Sequence, residues 1–174
     1  IPDNLPLSII YADINGLKLI NDAFGHNEGN RLIMKAADIL KNSCRKNDIL
    51  ARTGGDEFSI LMPNTDGDAA CEVFLKIRSA CEAYNRSVSN TIHQISLSLG
   101  YGTKETESDT LDEAIKIAED YMYKRKLLDR KSSHSAILFS IMATMYERSH
   151  ETEEHAVRLA ALAKKVGTRL DLAE

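Results

Sequence analysis

Residues 7–12 (LSIIYA) form an almost unbroken apolar run rich in β-forming side chains. The run predicts a short buried strand that ends by delivering Asp13. Between Asn15 and Phe24 the apolar residues Leu17, Leu19, Ile20, Ala23 and Phe24 recur at helical intervals, and Gly25 supplies a stop. Residues 25–30 (GHNEGN) are polar and glycine-bearing, which predicts a loop. A second helix is expected from about residue 31 to residue 44, with Leu32, Ile33, Ala36, Ala37, Ile39 and Leu40 on its apolar side. Residues 49–51 and 57–62 are short apolar runs around Gly54-Gly55, a β-hairpin pattern ended by Pro63 and Asn64. Residues 66–86 carry Ala70, Val73, Phe74, Ile77 and Ala80 at the spacing of an amphipathic helix. Residues 92–102 (IHQISLSLGYG) alternate apolar and polar, which predicts a half-buried strand, and residues 111–126 predict another helix. This order predicts an α+β fold, a mostly antiparallel central sheet with helices covering its faces. From residue 135 the pattern becomes continuous helix. Leu138, Ile141, Met142 and Met145 start an apolar stripe that Ala156, Leu159, Leu162 and Val166 extend, and that stripe needs a partner surface.

Composition narrows the classes. The 174 residues are 43 % hydrophobic and 28 % charged, the balance of a folded chain that needs no staples for its core. The net charge of −4, from 22 basic and 26 acidic residues, argues against coating a nucleic-acid polymer but not against binding one nucleotide. Cys44, Cys71 and Cys81 stand at no metal-binding spacing and read as reduced thiols of a cytoplasmic protein. The richest apolar run, residues 136–146, is broken by Ser140 and Thr144 and falls short of a membrane span, so no membrane contact is expected of these residues. The start lacks the basic residues of a signal peptide and lacks Met. The sequence therefore reads as part of a longer protein, with upstream membrane attachment of the parent left open.

The chemistry gathers around three carboxylates. Asp13 ends the first strand, and Asp56-Glu57 follow the Gly-Gly turn. If the two strands are neighbours, the three acids meet and make a hard-oxygen site for a divalent cation. Gly54 and Gly55 let a phosphate chain approach the backbone, since no side chain stands in the way. Alone, each piece has a plain alternative: a capping Asp, or a simple hairpin turn.

Residues 53–63 (TGGDEFSILMP) contain the GGDEF signature, and residues 12–30 (ADINGLKLINDAFGHNEGN) and 118–130 (AEDYMYKRKLLDR) resemble two further motifs of the same family. Over residues 1–133 the chain resembles the GGDEF-domain diguanylate cyclases. That resemblance implies the nucleotidyl-cyclase sheet, akin to the polymerase palm. It also implies a Mg²⁺-dependent reaction, with Mn²⁺ as a substitute, that joins two GTP into cyclic di-GMP across a homodimer. Asp13, the Ile14 carbonyl, Asp56 and Glu57 match the metal positions, and Asp56 and Glu57 match the catalytic acids. Gly54 and Gly55 match the turn along the triphosphate, and Lys18, Lys126 and Arg130 match phosphate contacts. Asn21, His26 and Asn30 fall where the family reads its substrate, chiefly guanine. Lys126 and Arg130 are four residues apart, hence on one helix face, with a solvated basic face as the plain alternative. Arg45 and Asp48, upstream of the signature, match the inhibitory site that binds product.

Two positions depart from the family pattern. Asn15 replaces an Asp, with little expected effect. Asn30 replaces an Asp that can accept from two guanine donors, whereas an amide offers one acceptor oxygen. Losing a charged acceptor there costs about 1–3 kcal/mol, which predicts weaker or relaxed guanine selection. Residues 134–174 form a helical extension, and residues 148–160 (RSHETEEHAVRLA) resemble the start of an HD-GYP phosphodiesterase domain. Glu151 and His155 share one helix face, but that family's later metal ligands, including its His-Asp pair, do not follow, so no phosphodiesterase activity is expected. His134 and His150 have no assigned role. The alternative to a cyclase is a regulatory module that binds GTP or cyclic di-GMP and controls an adjacent phosphodiesterase; a dimerisation scaffold is the bland third.

Overall fold

A computed structural model describes residues 4–88, 91–149 and 153–169. Its elements are β1 (Leu7–Ile14), α1 (Leu17–Phe24), α2 (His26–Ser43), β2 (Ile49–Arg52), β3 (Glu57–Pro63), α3 (Gly67–Ser87), a 3₁₀ turn (Thr91–His93), β4 (Leu97–Lys104), α4 (Leu111–Ser149) and α5 (Glu153–Arg169). The four strands form one sheet in the order β2-β3-β1-β4, antiparallel throughout. β1 lies in the middle, and Ser8, Ile9, Ile10, Ala12, Asp13 and Ile14 are all buried. A strand covered on both faces reads as a continuous apolar run, which is what residues 7–12 show. In β3 only Phe58, Ile60 and Met62 are buried, so its sequence alternates.

The register sorts the two faces. Ile9, Tyr11 and Asp13 stand opposite Gly102, Gly100 and Ser98 of β4 and share their face. A Cβ on Gly100 would lie 2.0 Å from the Ala118 carbonyl oxygen, and one on Gly102 would lie 2.1 Å from that of Ala114. α4 therefore rests directly on the β4 backbone, and the two glycines make the close approach possible. On the other face, Phe74 of α3 meets Tyr101 of β4, ring centres 5.6 Å apart. α2 lies beside α3: the Lys35 ammonium sits 4.5 Å over the Tyr84 ring, and Lys76 Nζ donates to the Ser43 carbonyl at 3.1 Å.

Three expectations are corrected. Residues 26–30 are not loop but the opening of α2, because Gly25, at φ 88 and ψ 161, makes the whole turn between two helices alone. The last strand starts at Leu97 rather than residue 92. The Asn85 amide takes both backbone groups of Ile95, accepting from its N–H at 2.7 Å and donating to its carbonyl at 2.8 Å, which removes Ile95 from any ladder. The helix expected over residues 111–126 continues to Ser149.

The chain divides into two compact units, Ile1–Ile137 and Leu138–Glu174. The first contains all of the sheet. The second contains α5, and in it Leu138, Met142, Leu162 and Val166 are exposed. The cysteines are free, and burial, with the nearby Glu82 charge, pushes the Cys81 thiol up to about 11. Among the described residues, no helix is long and apolar enough to cross a membrane.

Candidate active site

Asp13 and Glu57 stand directly opposite each other on β1 and β3, so their side chains leave the same face of the sheet. The Asp56 carbonyl accepts from the Ile14 N–H at 2.9 Å, which ties the hairpin turn to the end of β1. One carboxylate oxygen from each of Asp13, Asp56 and Glu57 lies within 4.8 Å of the others. α4, resting on that same face, brings Lys126 Nζ to 2.5 Å from Asp13 Oδ2. The glycines of β4 therefore bear on the site, because they set how closely Lys126 approaches.

The electrostatics follow from burial. Asp13 is fully buried, and desolvation pushes its carboxyl above the usual carboxylate range. The charges of Asp56 and Glu57 push the same way, and Lys126 opposes them. Burial works against the Lys126 ammonium, but its bond to Asp13 and the three carboxylates hold it above the ordinary lysine value. Asp13 Oδ1 is buried with no hydrogen-bond partner among the described residues. A Cβ on Gly54 would stand 2.8 Å from Glu57 Oε2. Three hard oxygen donors, one of them orphaned, beside a backbone with no side chain in the way fit a hard divalent cation.

A cleft of about 340 Å³ opens beside the acids, lined in part by Ile14, Gly16, Lys18, Asp22, Asp56 and Lys126. Lys18 is exposed at its edge. Asn21 packs on Gly29, where a Cβ would lie 1.9 Å from Asn21 Oδ1, and that oxygen is buried with no hydrogen-bond partner among the described residues. His26 opens α2 and Asn30 lies in its second turn, both exposed. Asn15 is buried in a polar trio: its amide donates to Ser96 Oγ at 3.0 Å and accepts from Ser98 Oγ at 2.9 Å. An amide suits that position because one partner accepts and the other donates.

Arg45 and Asp48 are paired with each other. The Arg45 N–H donates to Asp48 Oδ2 at 2.6 Å, its Nη2 donates to Asp48 Oδ1 at 3.2 Å, and the same Nη2 donates to Thr65 Oγ1. The Asp48 side chain is 1 % exposed against 50 % for Arg45. The Arg130 and His155 side chains, the His134 side chain, and residues Glu151 and His150 lie outside the described residues. Sequence reasoning does not single out Arg52, which donates to the carbonyls of both Gly54 and Gly55. Nor does it single out Gly100 and Gly102. An arginine just before a Gly-Gly turn is the only signal for the first, and it has meaning only once the carbonyls are located.

The sequence model described as "Diguanylate cyclase, GGDEF domain" matches residues 2–132. The chain belongs to the GGDEF family. It is 30 % identical over 120 residues to diguanylate cyclase A of Treponema denticola, covering 69 % of this chain and 32 % of that protein. It is 30 % identical over 129 residues to the response regulator PleD of Caulobacter vibrioides, covering 73 % of this chain and 28 % of that protein. The structure of the active GGEEF domain of a diguanylate cyclase from Vibrio cholerae superimposes with a TM-score of 0.60 at 27 % identity, covering 68 % of this chain and 75 % of that one. The chain spans a third or less of the length of the curated relatives it matches. The antiparallel sheet with helices on both faces is thus the GGDEF fold, as the sequence predicts.

Proposed function

We propose that this GGDEF domain is a diguanylate cyclase that condenses two GTP into cyclic di-GMP with release of two pyrophosphates. The convergence of Asp13, Asp56 and Glu57 within 4.8 Å, on the face that also receives Lys126, carries this reading. Held by these carboxylates and the Ile14 carbonyl, Mg²⁺, or Mn²⁺ in its place, supplies charge neutralisation and a lowered pKa for the attacking 3′-hydroxyl. Asp56 and Glu57 stand where a proton leaving that hydroxyl can be accepted. Gly54 and Gly55 give the triphosphate access to the backbone. Lys18 and Lys126 line the cleft as its cations, and Arg130 is assigned to the phosphates by the family motif that residues 118–130 resemble. Without such cations three carboxylates would repel the substrate. Asn21, His26 and Asn30 read the base.

Each domain holds one GTP, so turnover requires two domains face to face, and the active form is a homodimer. Arg45 and Asp48 form the product-binding inhibitory site, for which their mutual pairing must open. Residues 134–174 begin an HD-GYP domain of a longer protein, cytoplasmic in this part.

The test is purified protein with Mg²⁺ and GTP, with ATP in parallel, read by mass spectrometry at several protein concentrations. Cyclic di-GMP that rises faster than linearly with protein is expected. A second reading, a regulatory module that binds nucleotide without turnover, draws on Asn30 in place of a carboxylate. GTP binding with no product at any concentration would favour it.

A further inference from the structure

Arg52 is the last residue of β2, opposite Phe58 in the hairpin and immediately before the turn that carries the two glycines. Its Nε donates to the Gly54 carbonyl oxygen at 3.2 Å, and its Nη2 donates to the Gly55 carbonyl oxygen at 2.6 Å. Within the same turn, the N–H groups of Thr53 and Gly54 both donate to the Glu57 carbonyl, at 3.0 and 3.3 Å. The turn is thus held by the ladder on one side and by a side-chain fork on the other. Two adjacent glycines are the most freely rotating pair a backbone can have. A planar guanidinium that grips two neighbouring carbonyls removes that freedom, and the geometry needs the fork, which lysine lacks. The grip also has an electrostatic sense. Carbonyl oxygens are the negative ends of peptide dipoles, and two of them turned towards a polyphosphate would repel it. Arg52 engages both and adds a positive charge beside the turn. Asp56 and Glu57 follow directly, so the path of the turn also sets the directions of two of the three clustered carboxylates.

We propose that Arg52 is a positioning residue that holds the Gly54-Gly55 turn in the form that receives a triphosphate and aims Asp56 and Glu57. The proposal rests on the cyclase reading of the site. Its role acts through the backbone, and Arg52 itself does not touch the substrate.

Backbone amide exchange by NMR, without nucleotide, and affinity for 3′-deoxy-GTP with Mg²⁺ test it in Arg52→Gln and Arg52→Lys. The analogue has no attacking hydroxyl, so binding is read apart from turnover. In R52Q, exchange at Thr53 and Gly54 should rise roughly tenfold, the effect of losing a charge-assisted bond, while the Ile10 and Ile60 amides stay protected. Affinity for the analogue should fall by roughly the same factor. R52K should recover part of the affinity and little of the protection, since it restores charge but not the fork. Unchanged exchange at Thr53 and Gly54 would overturn the proposal. So would lost affinity with unchanged exchange, which would make Arg52 a direct phosphate contact, or an R52K indistinguishable from wild type. If R52Q loses protection at Ile10 and Ile60 as well, R52K alone decides. Wild-type protein that binds no 3′-deoxy-GTP defeats the cyclase reading, and the substrate half of this proposal with it, before any variant is made; the exchange result still decides whether Arg52 holds the turn.

Discussion

Asp13 is costly to the folded chain and valuable to its chemistry. Its carboxyl is raised, first by burial and then by Asp56 and Glu57. Between the ordinary Asp value and this raised one, the folded chain keeps a proton that the unfolded chain has released. Stability from this group therefore falls as pH rises through that window. Asp13→Asn removes the penalty, so metal-free D13N should melt at or above the wild-type temperature near neutral pH, while turnover falls at least roughly a hundredfold, beyond the loss typical of an outer-shell change. A D13N that melts well below wild type would contradict this account of the buried charge. Lys126→Met has the opposite signature. It leaves Asp13 unpaired and should cost about 2 kcal/mol near neutral pH, below the roughly 3–5 kcal/mol of a fully buried pair because the Lys126 side chain is 38 % exposed. That cost should shrink as pH falls, because a protonated Asp13 needs no partner. Denaturant melts of K126M at several pH values read this directly. Asn30→Asp restores a two-acceptor group and should strengthen GTP over ATP by roughly tenfold, measured as relative turnover. At this scale most of the site was legible. Asp13, Asp56, Glu57 and Lys126 announce themselves through motif and strand position. Arg52 did not, because its partners are backbone carbonyls, which carry no sequence signature.

Among the elements, the contact of α4 with β4 governs the site. Gly100 and Gly102 are two apart on one face of β4, and each would place a Cβ 2.0 or 2.1 Å from a helix carbonyl. Gly100→Ala or Gly102→Ala must push α4 off the sheet. Each should cost about 3 kcal/mol by thermal or denaturant melting, and turnover should fall further than the surviving folded fraction explains, because Lys126 moves with the helix. Wild-type stability in both variants would show that α4 does not rest on the strand. The alternation over residues 92–102 was visible in sequence, but its boundary was not. Asn85, seven residues before Ile92 in another element, takes the Ile95 backbone out of the ladder. Similarly, a GHNEGN segment looks like loop until one sees that Gly25 makes the whole turn and the remaining polar residues start α2.

For the molecule as a whole, the buried apolar residues among those described, from Ile9 to Met122, lie in the first compact unit. A chain ending at Ile137 should therefore keep the cooperative melt and the nucleotide binding of the longer one. Circular dichroism and 3′-deoxy-GTP titration check this, and loss of either would assign residues 138–174 a part in holding the domain together. On the proposed cyclase reading, the reaction belongs to a larger scale than one chain, since each site takes one triphosphate and the product needs two. Specific activity should therefore rise with protein concentration.

The order of elements, the antiparallel sheet, the three acids and the glycine turn were set by the sequence alone. They depend on local spacing, on burial along a strand and on a motif whose residue types are dictated by cation and phosphate chemistry. The tertiary structure alone decided which face the acids share, how closely α4 lies on that face, that Lys126 reaches Asp13, that Arg45 and Asp48 engage each other, and that Arg52 holds the turn. The first three depend on strand register or on groups brought together from distant parts of the chain; the last two are made within three residues but depend on the local path of the backbone, and neither leaves a period or a composition along the sequence.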